Sequence, residues 1–137
     1  MSRTAAPSPT VAPTPAPTPT PTPDWAADGR LNVLLIGSDA GPGRWSMRAD
    51  AIVFVSVEIE SGRVAAFSIP RYTRNVPLPE PAASAFACRC LSEDYINALY
   101  VYANQHPDLF PGGESRGFLA LEGAIEALTG VGLDGMA

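Results

Sequence analysis

Lysine is absent from this 137-residue sequence, and all nine basic residues are arginine. Acidic residues outnumber them, fourteen to nine, so the formal net charge is −5 at neutral pH. Sequence-independent affinity for nucleic acid depends on basic groups that meet phosphates, so this balance argues against a nucleic-acid-binding protein. The sequence also lacks an apolar run long enough for a secretory signal or a membrane helix. We therefore expect no nucleic-acid partner, and neither a signal nor a membrane anchor within these residues.

Cysteine and histidine are scarce. Cys88 and Cys90 are the two cysteines, too few for a disulfide framework, and their close spacing predicts that they do not pair with each other. These two cysteines do not indicate whether the protein resides in a reducing or an oxidising compartment. A zinc site made of these cysteines and His106 would lack a fourth ligand, so His106 is expected to be a surface residue.

Proline and threonine dominate the first part of the chain. From Pro7 to Pro23 they nearly alternate, which favours extended polyproline II and provides nothing for a core. Residues 1–23 are therefore predicted to be a disordered stalk, either a spacer or a tail of no specific use. Residues 24–137 are predicted to form one folded unit.

The first half of that unit reads as β-structure. Residues 31–36 form a short apolar run closed by Gly37, which is typical of a buried central strand. Residues 51–58 and 63–69 are rich in Val, Ile, Phe and Ala and flank a turn at 60–62, which predicts a β-hairpin ended by Pro70.

The second half reads as helical. An irregular connection with several prolines over residues 76–92 leads to a helix that begins with Ser92 as its cap and stops before Pro107. A second helix is predicted before Gly130, a residue suited to a helix C-terminus. The apolar face of that helix is predicted to consist of Phe118, Leu121, Ile125 and Leu128. This order of elements predicts an α/β sandwich.

Four elements stand out beside the ends of the predicted strands, where open α/β sheets place their ligand sites. They are Gly37-Ser38-Asp39, Arg48-Ala49-Asp50, Ile69-Pro70-Arg71 and the Asn97-Ala98 pair early in the first helix. If the loops carrying Asp39 and Asp50 converge, two carboxylates are available for Mg²⁺, which usually completes its shell with substrate phosphates and water. Arg48 and Arg71 could then bind phosphate oxygens, since guanidinium presents a planar fork that matches them. Each residue alone is more often a turn or surface residue.

The ordered motifs resemble the LytR-CpsA-Psr (LCP) family, also called the cell envelope-related transcriptional attenuator domain. They are LLIGSD, RAD, SIPR and INALY, at residues 34–39, 48–50, 68–71 and 96–100. A helix and the stretch Gly-Val-Gly-Leu-Asp at residues 130–134, which resembles the family's entry into a further strand, follow them. The resemblance implies an α/β domain with a central mixed β-sheet flanked by helices. It covers the N-terminal part of the family domain, so the chain is expected to be truncated.

The resemblance also implies a function in cell-wall biogenesis. Family members transfer a glycopolymer from a polyprenyl-pyrophosphate carrier to peptidoglycan, outside the cytoplasm and anchored in the membrane by a segment that this chain lacks. By position, Asp39 and Asp50 would hold Mg²⁺, Arg48 and Arg71 would bind the pyrophosphate, and Asp39, Asp50 and Arg71 would be the catalytic residues. The lipid would lie in an apolar groove to which residues such as Phe54, Phe67, Leu99 and Phe118 contribute, although each is more often ordinary core.

The sequence departs from the family pattern at two positions. Tyr72 stands where an aspartate usually follows Pro-Arg, and Tyr95 stands where a basic residue often precedes Ile-Asn. Each change removes a charge from the expected site. The alternative hypothesis is therefore a non-catalytic cell-envelope binding or regulatory module that keeps the fold.

Other functions fit the sequence less well. A nucleotide site at residues 34–43 lacks both GxGxxG and the P-loop pattern, and the next element reads as a strand instead of a helix. A serine hydrolase using Ser38 and His106 lacks a nucleophile elbow. Transcriptional contact with DNA is disfavoured by the acidic balance.

Overall fold

The computed structural model describes residues 27–38, 41–43 and 47–137. The predicted stalk at residues 1–23 and the candidate ligand Asp39 lie outside these ranges. The elements, in chain order, are β1 (Arg30–Ser38), β2 (Ala49–Glu58), β3 (Val64–Ser68), β4 (Val76–Pro77), α1 (Ala82–Ala85), β5 (Cys90–Leu91), α2 (Ile96–Gln105), α3 (Arg116–Thr129) and β6 (Gly135–Met136).

The main sheet has the strand order β3-β2-β1-β6. The pairs β1–β2 and β2–β3 are antiparallel, whereas β6 runs parallel to β1. The α/β class with a central mixed sheet is therefore confirmed, and so is the hairpin. The hairpin begins two residues earlier than predicted, because Ala49 and Asp50 also extend β2.

The sheet buries one face along much of its length. Asn32 and Leu34 of β1 and Ile52 and Phe54 of β2 are buried, while Leu35 is 42% exposed. Residues 31–36 lie in a central strand, between β2 and β6, as predicted, but the strand is buried on one face only. Alternation of buried and exposed residues is what an antiparallel pair with one covered face produces.

Helices α2 and α3 supply the other layer of the core. Their buried side chains include Ile96 and Leu99 on α2 and Leu121 and Ile125 on α3. Helix α2 begins at Ile96 after the N-cap residue Tyr95, so the predicted cap at Ser92 is wrong.

The buried face of α3 differs in part from the predicted one. Phe118 is 41% exposed and Leu128 is 43% exposed, and small residues at Ala120 and Ala124 take their place in the core. Small residues let α3 approach its neighbours closely, and at Gly117 an added Cβ would lie 2.6 Å from Tyr100 Cδ2. Gly130 ends the helix in the left-handed conformation, with φ 70°, as predicted.

The connection between β3 and α2 is more ordered than its prolines indicate. Strands β4 and β5 pair over two residues each, and α1 lies between them. Cys88 and Cys90 form a disulfide, so the prediction that they do not pair is wrong. Arg89 between them adopts a positive φ of 54°, which turns the chain and places the two Cα atoms 5.1 Å apart.

The last residues of the chain rejoin the sheet beside β1. Asp134 accepts a hydrogen bond from the Asn32 main-chain N–H at 2.7 Å, and its own N–H donates to the Asn32 carbonyl at 2.8 Å. These two bonds set the position at which β6 begins. Within the described ranges, no helix is long and apolar enough to cross a bilayer.

Candidate functional site

A β-bulge positions Asp50 at the end of the sheet. Gly37 pairs with Ala51 but the next residue, Ser38, pairs with Ala49, so Asp50 is the extra residue of β2. Bulges redirect side chains and are common beside active sites. The Asp50 side chain is 26% exposed there, and can be reached by a ligand at the strand end.

Arg71 meets Asp50 at this bulge. The backbone stays in register past β3, since the Ile69 N–H donates to the Ile52 carbonyl at 2.8 Å, and Pro70 then ends the pairing. Arg71 Nη1 lies 2.6 Å from Asp50 Oδ1. The two atoms form no aligned hydrogen bond, since Asp50 Oδ1 is without a hydrogen-bond partner. We therefore describe it as an ion pair.

The turn that carries Arg71 is fixed to the start of α2. Thr73 closes the turn, with its N–H and its hydroxyl both donating to the Pro70 carbonyl at 2.9 and 2.7 Å. The first N–H groups of α2 then donate to this turn, from Ile96 to the Thr73 carbonyl at 2.9 Å and from Asn97 to the Arg71 carbonyl at 3.3 Å. The helix thus holds the main chain of Arg71 in place while its guanidinium remains partly exposed.

The two tyrosines that depart from the family pattern are neighbours in space. The rings of Tyr72 and Tyr95 meet edge to face with centroids 5.3 Å apart. Arg71 Cζ lies 4.8 Å from the Tyr72 ring centroid, and Arg74 Cζ lies 5.5 Å from that of Tyr95. A pair of opposite charges expected from the family is therefore replaced by an aromatic pair with an arginine on each ring.

The other predicted site residues are not brought into this pair. Arg48 is exposed and lines a shallow depression with Asp94, Tyr102 and Gln105, on the α2 side of β2. Burial raises the pKa of the Tyr102 phenol, with a smaller contribution from nearby acidic residues, so the phenol stays neutral at physiological pH. Asp39 lies outside the described residues, and its proposed pairing with Asp50 remains a prediction.

An apolar cavity adjoins the bulge. Its volume is about 170 Å³, and Ser38 and Ala49, the register partners beside Asp50, form part of its wall. The remaining lining is mostly apolar and includes Ile36, Met47, Tyr100 and Phe118.

The four predicted lipid-groove residues divide between surface and core. Of these, only Phe118 lines the cavity beside the bulge. Phe54 and Leu99 are buried in the core. Phe67 stacks on Phe54 and is 47% exposed.

Asn97 belongs to the Asn97-Ala98 pair that the sequence singled out without assigning it a role, and it lies at the start of α2. Its side chain is fully buried, yet both its carboxamide oxygen and its nitrogen lack a hydrogen-bond partner. The sequence signal was present, since Asn97 is the one strongly polar residue in the otherwise apolar stretch from Ile96 to Leu99.

The alternative of a zinc site loses support. The cysteines are joined to each other, and within the described part of the chain no three residues among His, Cys, Asp and Glu are placed to hold a metal, which argues against the zinc site. His106 stacks on Tyr102 at a centroid distance of 4.0 Å and lies at the C-terminal end of α2. Magnesium requires less of the protein, often one or two carboxylates, and the partly exposed Asp50 carboxylate at the strand end is of the kind that Mg²⁺ prefers.

The fold and this strand-end site define an α/β domain with a carboxylate and a guanidinium beside an apolar cavity. The chain belongs to the LytR_cpsA_psr family, whose model matches residues 5–135. This is a family of extracytoplasmic cell-wall glycopolymer transferases that typically binds Mg²⁺. The family resemblance of the sequence motifs is thus confirmed.

Among solved structures, the chain is similar to the crystal structure of B. subtilis TagV, with 22% sequence identity and a TM-score of 0.49. The match covers 77% of this chain and 34% of TagV, so the chain spans about a third of that protein. No curated protein matches the sequence significantly.

Proposed function

We propose that this chain carries part of the phosphate-transfer site of an LCP transferase, which moves a glycopolymer from a polyprenyl-pyrophosphate carrier to peptidoglycan in the cell envelope. The observation that carries the proposal is the Asp50–Arg71 ion pair beside an apolar cavity. A polyprenyl pyrophosphate has the same two parts, a strongly anionic head and an apolar tail.

The reaction needs little covalent help from the protein. The oxygen of an acceptor sugar hydroxyl forms a bond to the phosphorus next to the glycan, and the bond from that phosphorus to the bridging oxygen breaks. Polyprenyl phosphate leaves, a phosphodiester remains, and the hydroxyl proton passes to a base. Positioning and charge neutralisation dominate the catalysis of such transfers.

Arg71, Asp50 and Arg48 would each have a distinct role in this reaction. Arg71 would bind the pyrophosphate, since its side chain is 38% exposed and guanidinium presents several N–H donors that match phosphate oxygens. Asp50 would hold Mg²⁺ together with Asp39, and the ion would neutralise phosphate charge when bound. Arg48, exposed just before the bulge, would contact a phosphate from the α2 side.

The aromatic pair favours a second candidate function. Tyr72 and Tyr95 remove two expected charges from beside Arg71. A non-catalytic cell-envelope module would keep the anion site and bind carrier or glycan without turnover. The two candidates differ in one observable property, which is the release of polyprenyl phosphate.

The test is a Mg²⁺-dependent assay of the 137-residue chain with a polyprenyl-pyrophosphate-linked oligosaccharide and a peptidoglycan acceptor. We expect release of polyprenyl phosphate that is lost in Asp50→Ala and reduced at least about tenfold in Arg71→Ala, the size of one charge-assisted contact. Arg63→Ala is the matched control, because Arg63 is a surface arginine paired with Glu58 at the opposite end of β2. Binding without release would favour the non-catalytic module, and absence of both would refute the proposal.

A further inference from the structure

Three side chains of the described residues hold buried polar atoms without a hydrogen-bond partner. Two of them are the ion-paired Asp50 and Arg71, and the third is Asn97. A buried polar group left without a hydrogen bond lowers the stability of the fold, so such groups are rare in folded proteins. All three residues belong to the candidate site or to the turn and helix that hold it.

The unpaired atoms are complementary in kind. Arg71 Nε and Asn97 Nδ2 are donors, whereas Asp50 Oδ1 and Asn97 Oδ1 are acceptors. Asn97 is attached to the same turn, since its main-chain N–H donates to the Arg71 carbonyl at 3.3 Å. One carboxamide can donate to a carboxylate and accept from a guanidinium at the same time.

We propose that Asn97 is a positioning residue that holds Asp50 and Arg71 in the ligand-bound state. The inference rests on the proposed function. In the free protein, Arg71 and Asp50 neutralise each other at 2.6 Å. When a Mg²⁺-pyrophosphate takes both groups, each loses the other as its partner, and the carboxamide supplies an acceptor to Arg71 and a donor to Asp50. Asn97 is fully buried, so it acts through these side chains and not on the substrate itself.

Asn32 shows what a purely structural asparagine looks like in the same fold. It is also buried, but its carboxamide oxygen accepts a hydrogen bond from Ser56 at 2.6 Å, and its main chain is paired with Asp134. Removal of such a group breaks bonds and destabilises the fold. Removal of the Asn97 carboxamide takes two unpaired buried atoms out of the free protein, so it should not lower stability. It should weaken ligand binding, because the carboxamide can then no longer contact Asp50 and Arg71.

The experiment compares the full chain with Asn97→Leu, which keeps the approximate volume and removes both polar atoms. We expect the melting temperature of the free variant to be equal to or above that of the wild type. We expect the affinity for farnesyl pyrophosphate with saturating Mg²⁺, measured by calorimetry, to fall about tenfold or more. Asn104→Leu, the same change two turns along α2 at a half-buried position, is the control and should leave affinity unchanged.

The outcomes separate the inference from the function on which it rests. Wild-type affinity in Asn97→Leu, or a lower melting temperature with unchanged affinity, would overturn the positioning role alone. No binding by the wild-type chain would overturn the proposed function and this role together. If leucine does not fit and the variant fails to fold, Asn97→Ala provides the same comparison.

Discussion

The strength of the Asp50–Arg71 pair can be measured directly, with a double-mutant cycle of Asp50→Asn and Arg71→Gln. The charged atoms are 2.6 Å apart, and the side chains are 26% and 38% exposed. Two unit charges about 4 Å apart attract by about 1 kcal/mol in water and about 4 kcal/mol at an effective dielectric constant near 20. Exposed pairs measured in cycles give about 0.2–1 kcal/mol, so for this partly exposed pair we expect a coupling of about 1 kcal/mol.

The assay is urea unfolding of the wild type, both single variants and the double variant, at low and high salt. The coupling free energy between Asp50 and Arg71 should be smaller in about 1 M salt, where the Debye length falls to about 3 Å. The coupling energy should also shrink when Mg²⁺ is added, since under the proposed function a metal on Asp50 would take the place of Arg71. The matched control is the cycle on Arg63 and Glu58, an exposed pair away from the site, which should not respond to Mg²⁺ beyond ionic strength. A coupling of zero at low salt would refute the argument that these charges form a functional pair.

Three further predictions concern stability. Burial, and to a lesser extent Glu126, raises the pKa of Glu122, so its folded-state pKa exceeds the unfolded value and stability falls as pH rises through that range. Glu122→Gln should therefore raise the melting temperature at pH 7, with the difference vanishing in acid. Gly123→Ala should lower the free energy of unfolding by up to about 2 kcal/mol, because a Cβ 2.8 Å from Pro79 Cβ outweighs a helix-propensity gain of about 1 kcal/mol. Asp134→Ala leaves the Asn32 N–H without its partner, and urea unfolding should show a loss of about 1–3 kcal/mol.

The features that the sequence predicted well have a strong periodic or covalent cause. The hairpin of β2 and β3 follows from two β-rich runs around a glycine turn, and the end of α3 follows from the glycine at position 130. The family motifs were sufficient to place Asp50 and Arg71 at one strand end, where they form an ion pair.

The features that could not be predicted from the sequence depend on contacts between distant residues or on single backbone angles. The disulfide requires a left-handed Arg89, which no local pattern indicates. The strand entry at Asp134 was expected from the family motifs, but the pairing of β6 with β1 is set by the contact of Asp134 with Asn32. The bulge at Asp50 arises from the register with β1, and the contact of Tyr72 with Tyr95 joins residues on two separate elements.

The most direct measurement is a crystal structure of the full chain with Mg²⁺ and farnesyl pyrophosphate. The account predicts the diphosphate within hydrogen-bond distance of the Arg71 guanidinium, the metal on Asp50, and the first part of the prenyl chain in the cavity lined by Met47 and Phe118. A diphosphate bound elsewhere, with the Asp50–Arg71 ion pair still closed, would contradict it.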